Sequence, residues 1–122
     1  MASVSNSIVP DLGEVIAERS YQLKRKAKRG MRVIVRVGTP VPDPNPPGRD
    51  WACPYEIIVS GKSKTRVTFG VDSMQALELT LRILPTHLAV LARAQKGKIY
   101  RFGQPDTTIP NLPTQRSARR RS

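Results

Sequence analysis

The chain has 122 residues, and 21 Lys and Arg against nine Asp and Glu give it a net charge of +12. A chain of this length can bury one hydrophobic core, and the charge favours contact with nucleic acid, acidic proteins or anionic lipid. One cysteine excludes an intramolecular disulfide, residues 1–12 do not have the pattern of a signal peptide, and no stretch approaches the roughly 20 apolar residues of a membrane span. The sequence therefore predicts one small cytoplasmic domain.

The domain is expected over residues 13–103. Eleven prolines and a Ser/Arg-rich end place part of the chain outside the core. We therefore expect a flexible N-terminus over residues 1–12 and a disordered basic tail over residues 104–122.

Alternation of apolar and polar residues predicts strands at 13–23 and 31–37. The basic run 24–29 between them ends at a glycine and is predicted to be an exposed turn. Five prolines between residues 39 and 50 predict an extended loop. Alternation then resumes at 55–59 and 65–69 around a turn at 60–63, which predicts a hairpin.

From Ser73 the apolar period changes to that of a helix. Its start has a capping-box pattern, in which Asp72 accepts from the amide of Gln75 and Gln75 reaches back to the amide of Asp72. Pro85 is expected to kink or divide the helix because it removes the bond to the Leu81 carbonyl. The predicted core stripe consists of Met74, Leu77, Leu81, Leu84, Leu88 and Leu91.

These elements predict an α+β fold, with an antiparallel sheet of about four strands packed against one long, Pro-kinked helix. Residues 98–102 are a candidate for a short fifth strand.

Two motifs stand in order along the chain: Trp-Ala-Cys-Pro-Tyr at 51–55, entering a strand, and Gly-Val-Asp-Ser-Met-Gln-Ala-Leu at 70–77, opening the helix. Over residues 15–91 the chain resembles a family of small bacterial proteins that is defined only as a domain of unknown function. The resemblance implies a meandering antiparallel sheet backed by a helix, and it carries no assigned activity or functional residues. The basic run, Pro85 and the arginine tail depart from or add to the family pattern.

Few residues suggest a catalytic, nucleotide or metal site. Gly-Lys-Ser at 61–63 lacks the other glycine and the following helix of a P-loop. Cys53 and His87 are each the only residue of their kind, whereas a structural zinc site takes four ligands. We expect no metal and no cofactor. An enzyme would have to use Cys53 and His87 as nucleophile and base, although the sequence marks neither an orienting group nor an oxyanion site.

Two further features could bind a protein. Trp51 is either a binding anchor or, as we favour, a residue that closes one end of the core. The segment 44–49 has the form of a proline-rich ligand followed by arginine, a pattern that arises easily in a loop so rich in proline.

The basic residues define the candidate binding surface. Arg32 and Arg36 point to the open face of the sheet, and Lys64 and Arg66 join them there if the second strand pairs with its neighbours. The competing interpretation is a solvated loop and a tail kept soluble by charge. The polyanion-binding candidates are Lys24, Arg25, Lys26, Lys28, Arg29, Arg32, Arg36, Lys64, Arg66, Arg119, Arg120 and Arg121.

The leading hypothesis is thus a non-catalytic binding module whose basic surface contacts a polyanion, either nucleic acid without sequence preference or an acidic protein. Because Tyr55 and Phe69 are expected to face the helix, nucleic-acid binding should be directed to the backbone rather than to bases. The alternatives are a dedicated protein-partner binder, such as an inhibitor or immunity-type protein, and a Cys/His enzyme.

Overall fold

The structure is a computed structural model, and it describes residues 11–45 and 50–110. These residues form one helix and seven strands, all paired antiparallel. In chain order the elements are β1 Val15–Arg25, β2 Lys28–Gly38, β3 Val41–Pro42, β4 Trp51–Val59, β5 Lys62–Gly70, α1 Ser73–Ala94, β6 Gly97–Arg101 and β7 Gln104–Pro105.

The sheet is an open antiparallel meander, followed by one crossover through the helix. Strands β1, β2, β4 and β5 follow one another across the sheet, and the short β3 also pairs with β4. Helix α1 then crosses back over one face, so that β6 pairs with β1 at the other side and β7 follows β6. The α+β class is therefore confirmed, with two strands, β3 and β7, that the alternation pattern does not predict.

The helix covers one face of the sheet, which we call the covered face, and leaves the other as the open face. Neighbouring residues of a strand point to opposite faces, so the alternating apolar residues of β1, β2 and β4 collect under the helix. The core consists of Tyr21, Leu23, Val33, Val35, Val37, Cys53, Tyr55, Ala76, Leu84, Leu88, Ala92 and Ile99.

The helix presents most of the predicted stripe to the sheet, and Leu77 and Leu91 pack against the core as predicted. Leu84 and Leu88 are buried as predicted, but Met74 is 75% exposed and Leu81 is 51% exposed. The small residues Ala76 and Thr80 contact the sheet instead, because the helix start lies directly against Gly70, where a Cβ would collide with the backbone of Ala76. A larger residue at position 76 or 80 would prevent this close approach.

The helix begins and ends close to the predicted residues. Asp72 accepts from the Gln75 amide at 2.7 Å, but the Gln75 side chain accepts from the Val71 amide rather than that of Asp72. The helix is continuous across Pro85, so the prediction that Pro85 divides it is wrong, while a kink there stays a prediction. No helix in the described part of the chain is both long and apolar enough to cross a membrane.

The turns are tighter than predicted. The basic run lies mostly within β1 and β2, with only Lys26 and Ala27 between them. The β4–β5 turn likewise has two residues, Ser60 and Gly61, both with the positive φ of a type I′ turn.

Pairing in the β4–β5 hairpin reverses the predicted orientation of β5. Directly opposed residues point to the same face, and Tyr55 on the covered face is opposite Arg66. Phe69 is opposite Ala52 and therefore lies on the open face, where 44% of its surface is exposed. The prediction that Phe69 faces the helix is wrong.

The fold continues beyond residue 103, which was the predicted end of the domain. Strand β7 follows, the Asp106 amide donates to the Ile99 carbonyl at 3.0 Å, and Ile109 packs against the core. The predicted disordered tail therefore cannot begin at residue 104. Residues 1–10, 46–49 and 111–122, with the predicted tail arginines, lie outside the described residues.

Candidate functional site

The tip of the β1–β2 hairpin presents four exposed cations. Lys24 precedes the turn, Lys26 lies within it, and Lys28 and Arg29 follow it. Arg25 has a different role, because its guanidinium donates to the Arg29 carbonyl at 2.6 and 3.1 Å and to the Gln95 side chain at 3.3 Å. Arg25 therefore ties the hairpin to the end of the helix, and the other four side chains remain exposed to solvent.

Two other segments bring cations to the same end of the sheet. The β4–β5 turn is beside β2, since the Ser60 amide donates to the Arg32 carbonyl, and it is followed by exposed Lys62. The helix also ends here, and exposed Lys96 and Lys98 lead into β6, where Lys98 is opposite Lys24. We call this region the basic end; its exposed cations are Lys24, Lys26, Lys28, Arg29, Lys62, Lys96 and Lys98.

No acidic residue of the sequence falls within the three segments that form the basic end, residues 24–29, 60–62 and 95–98. The seven cations therefore share one end of the sheet with no carboxylate in the segments that carry them, and Lys62, opposite Val59, lies on its covered side. The C-terminus of the helix contributes a partial negative charge, which offsets only part of their repulsion. Such a surface attracts anions, and its effect is greatest at low ionic strength.

The basic end continues onto the open face of the sheet through Arg32. Shallow concavities of about 530, 480 and 480 Å³ adjoin one another there, and each has basic side chains on its wall. Gln22 and Arg32 line two of the three, Lys24 lines two, and Tyr100 lines two. The concavities thus form one extended surface.

Two aromatic rings stand at the β6 side of this surface. Tyr100 is opposite Gln22 on the open face, and the Lys24 ammonium lies 4.5 Å from the centre of its ring. Phe102 occupies the β6–β7 turn, is 91% exposed, and has the Arg101 guanidinium 5.3 Å from its ring centre. Both distances are those of cation–π contacts.

The structure separates three of the predicted cations from this surface. Arg36 forms ion pairs with Glu18 at 2.6 Å and with Glu56 at 3.9 Å, so two carboxylates neutralise its charge. Lys64 and Arg66 are opposite Ile57 and Tyr55, which places them on the covered face rather than on the open face with Arg32. The predicted placement is therefore wrong for Lys64 and Arg66, while Arg36 lies on the predicted face with its guanidinium paired to carboxylates.

Sequence reasoning missed the half of the surface that follows the helix. The segment 96–102 reads Lys-Gly-Lys-Ile-Tyr-Arg-Phe, in which Lys98, Tyr100 and Phe102 share one parity while Ile99 is buried. Alternation of cationic and aromatic residues on one side of a strand is a signal that could have identified it.

Cys53 and His87 have different partners. The Cys53 thiol is fully buried and donates to the Gly38 carbonyl at 3.6 Å. Burial raises the pKa of this thiol, and a side-chain hydrogen bond with Thr80 opposes part of that rise. His87 Nε2 is 2.9 Å from the Tyr55 hydroxyl, and its pKa is lowered by burial and by Arg66. Burial therefore disfavours the thiolate that a cysteine nucleophile requires.

Trp51 packs against the core, which agrees with the favoured prediction that it closes one end of the core. Across residues 11–45 and 50–110 there is no group of three or more His, Cys, Asp or Glu side chains placed to hold a metal ion.

The fold and this surface define a small α+β protein with a helix-covered antiparallel sheet and a basic end. The chain belongs to the family described as Domain of unknown function (DUF6968), which matches residues 17–110. This confirms the resemblance to a family of unknown function, and the match extends past β7. No curated protein and no solved structure matches the chain.

Proposed function

We propose that the protein is a non-catalytic nucleic-acid-binding module that contacts the phosphate backbone through its basic end. The observation that carries the proposal is the convergence of three segments, distant in sequence, on one end of the sheet, where they expose seven cations and contain no acidic residue. Phosphates are the regularly spaced anions that such a surface fits, and backbone contacts need no sequence preference.

The proposal accounts for the difference between Arg25 and its neighbours. Arg25 is held by the Arg29 carbonyl and by Gln95, so it stiffens the hairpin against the helix end. The four other cations of the tip then project from a hairpin with a fixed backbone rather than from a flexible loop. Pre-positioned cations lose less conformational entropy when phosphates bind.

An acidic protein is the competing partner for the same surface. A protein partner would provide carboxylates at fixed positions and bind with a defined stoichiometry, whereas nucleic acid would bind with an affinity that depends on length and salt. The dedicated protein-partner binder and the Cys/His enzyme stay as alternative predictions, and neither draws support from the contacts of the basic end.

The test is the salt dependence of binding to labelled DNA duplexes of unrelated sequence, measured by fluorescence anisotropy. Five to seven phosphate contacts would give a slope of log affinity against log salt of about −4.5 to −6.3 on duplex DNA. We expect similar affinities for the different sequences. Absence of binding to duplex and single-stranded DNA alike at low salt, or an affinity that does not change with salt concentration, would overturn the proposal and give first place to a protein partner.

A charge-matched pair of variants locates the contacts. Lys96→Gln with Lys98→Gln removes two charges from the basic end, while Arg66→Gln with Arg82→Gln removes two exposed charges elsewhere. The first variant should flatten the salt slope by nearly two contacts, about 1.8 on duplex DNA, and the second should leave the slope close to that of the wild type. Equal effects of the two variants would mean that only net charge matters.

A further inference from the structure

We infer that the nucleic acid bound by this protein is single-stranded, and that Tyr100 and Phe102 stack against its bases. The inference rests on the proposed function, to which it adds the class of ligand. Bases in a duplex are paired and stacked on one another, whereas those of a single strand offer free π-faces to exposed aromatic rings. A duplex would contact the cations of the basic end through its phosphates but would offer no free base to either ring.

The setting of Tyr100 supports stacking. Its ring lies on the open face beside Gln22, in concavities that it shares with Lys24, Arg32 and Lys98. A cation and an aromatic ring on the same small surface can bind the phosphate and the base of one nucleotide together. The Lys24 ammonium is 4.5 Å from the ring centre, so it is close enough to bind the phosphate of a nucleotide whose base stacks on Tyr100.

The conformation of Phe102 is the stronger support. Its φ is +55°, in the left-handed region, where a bulky side chain is an outlier and where Gly, Asn or Asp is the usual residue of a hairpin turn. The ring is also 91% exposed, so it gains nothing from burial. The strained backbone at Phe102 costs folding free energy that no burial of the ring offsets, and strained residues cluster at binding sites.

The two rings and the cations belong to one surface. Tyr100 and Phe102 line the same concavity with Arg32 and Arg101, and this concavity adjoins the one formed by Lys24, Lys26, Lys96 and Lys98. A single-stranded nucleic acid whose phosphates contact the basic end would therefore have its bases over the two rings. The contrast is Phe69, an exposed aromatic residue of the open face that lies on β5, away from β6.

The experiment compares three labelled probes at one salt concentration: a thymine strand, an abasic strand of the same length, and a duplex. A length of about 12 nucleotides fits the site sizes of single-strand binders. The thymine and abasic strands carry equal charge, so their affinity ratio isolates the contribution of the bases. Wild type should bind the thymine strand more tightly than the abasic strand, by roughly 5- to 150-fold for each ring that stacks.

Phe102→Asn tests the inference without harming the fold, because Asn tolerates the left-handed φ. The variant should lower affinity for the thymine strand and leave affinity for the abasic strand and the duplex unchanged. Tyr100→Leu should lower the same ratio, and the control Phe69→Thr should not change it.

The outcomes separate the inference from the proposed function. A wild-type ratio near one, or a ratio that neither variant lowers, would overturn stacking while backbone binding stands. An equal loss of affinity for all three probes in Phe102→Asn would also overturn stacking, since the ring would then act through the turn. No binding of any probe by the wild type would overturn the proposed function itself.

Discussion

The covered face and the basic end are built from the same strands but in opposite ways. Leu23 in β1 is fully buried, while its neighbour Lys24 is exposed and has its ammonium over Tyr100. On the covered face each side chain has packing partners, so its loss should weaken the fold. At the basic end the cations and the two rings lie outside the core, so their loss should weaken binding more than the fold. Stability and binding are thus assigned to different residues of one sheet.

Leu88→Ala should have the largest effect on the fold. Leu88 is 1% exposed, so truncation removes burial and leaves a cavity, at a cost of roughly 2–5 kcal/mol. Leu81→Ala should cost much less, because that side chain is 51% exposed. Chemical denaturation measures both. Equal losses would contradict the burial of Leu88 and the exposure of Leu81, and lost DNA affinity in a still-folded Leu88→Ala variant would contradict the division of roles between the covered face and the basic end.

The cap at the helix start should have the next largest effect. Asp72→Ala removes the acceptor of the Gln75 amide and should cost about 0.5–2 kcal/mol, whereas Asp72→Asn keeps an acceptor and should cost less. Thermal denaturation distinguishes the two. Because the cap lies outside the basic end, the salt slope of either variant should match that of the wild type; a changed slope would place Asp72 in the binding surface.

His87 should make stability depend on pH. Burial and Arg66 lower its pKa from the ordinary value of 6.5, so the unfolded chain binds the proton more readily than the folded one. The stabilisation is present above pH 6.5 and is lost as the pH falls through the lower, folded-state pKa. His87 is the one histidine of the sequence. The difference in Tm between wild type and His87→Gln should therefore change between pH 7 and pH 5; a constant difference would contradict the assignment.

Removing charge from the hairpin tip should have the smallest effect on stability. In the quadruple variant Lys24→Gln, Lys26→Gln, Lys28→Gln and Arg29→Gln, mutual repulsion is relieved while Arg25 keeps its bonds to Gln95 and the Arg29 backbone. Tm should stay unchanged or rise, and affinity for DNA should fall. A large fall in Tm would mean that the tip cations are structural.

The periodicity of the sequence was enough to predict the strands around 13–23 and 31–37, the β4–β5 hairpin and the helix from Ser73. It failed for two residues of the helix face, Met74 and Leu81, because Ala76 and Thr80 lie against the sheet although they carry little hydrophobic signal. It also failed for Phe69, because strand alternation does not say which of two faces is covered until the pairing register is known.

The candidate site was only half predictable for a related reason. The run 24–29 is visible as a cluster of charge in the sequence, but Lys96, Lys98 and Tyr100 join it through a helix that crosses the whole sheet. A single sequence does not show how close the residues after the helix come to the β1–β2 hairpin. Arg36 lies on the predicted face, but the pattern of β2 alone cannot reveal its two carboxylate partners, which come from β1 and β4.

The most direct test of the account is to map the binding surface by two-dimensional amide NMR during titration with a thymine strand. We expect shifts in the amides of residues 24–32, 60–62 and 96–103, with little change around Asp43 and Asp72. Shifts confined to β5 and the helix start, or spread evenly over the molecule, would contradict the claim that the basic end is where this protein binds.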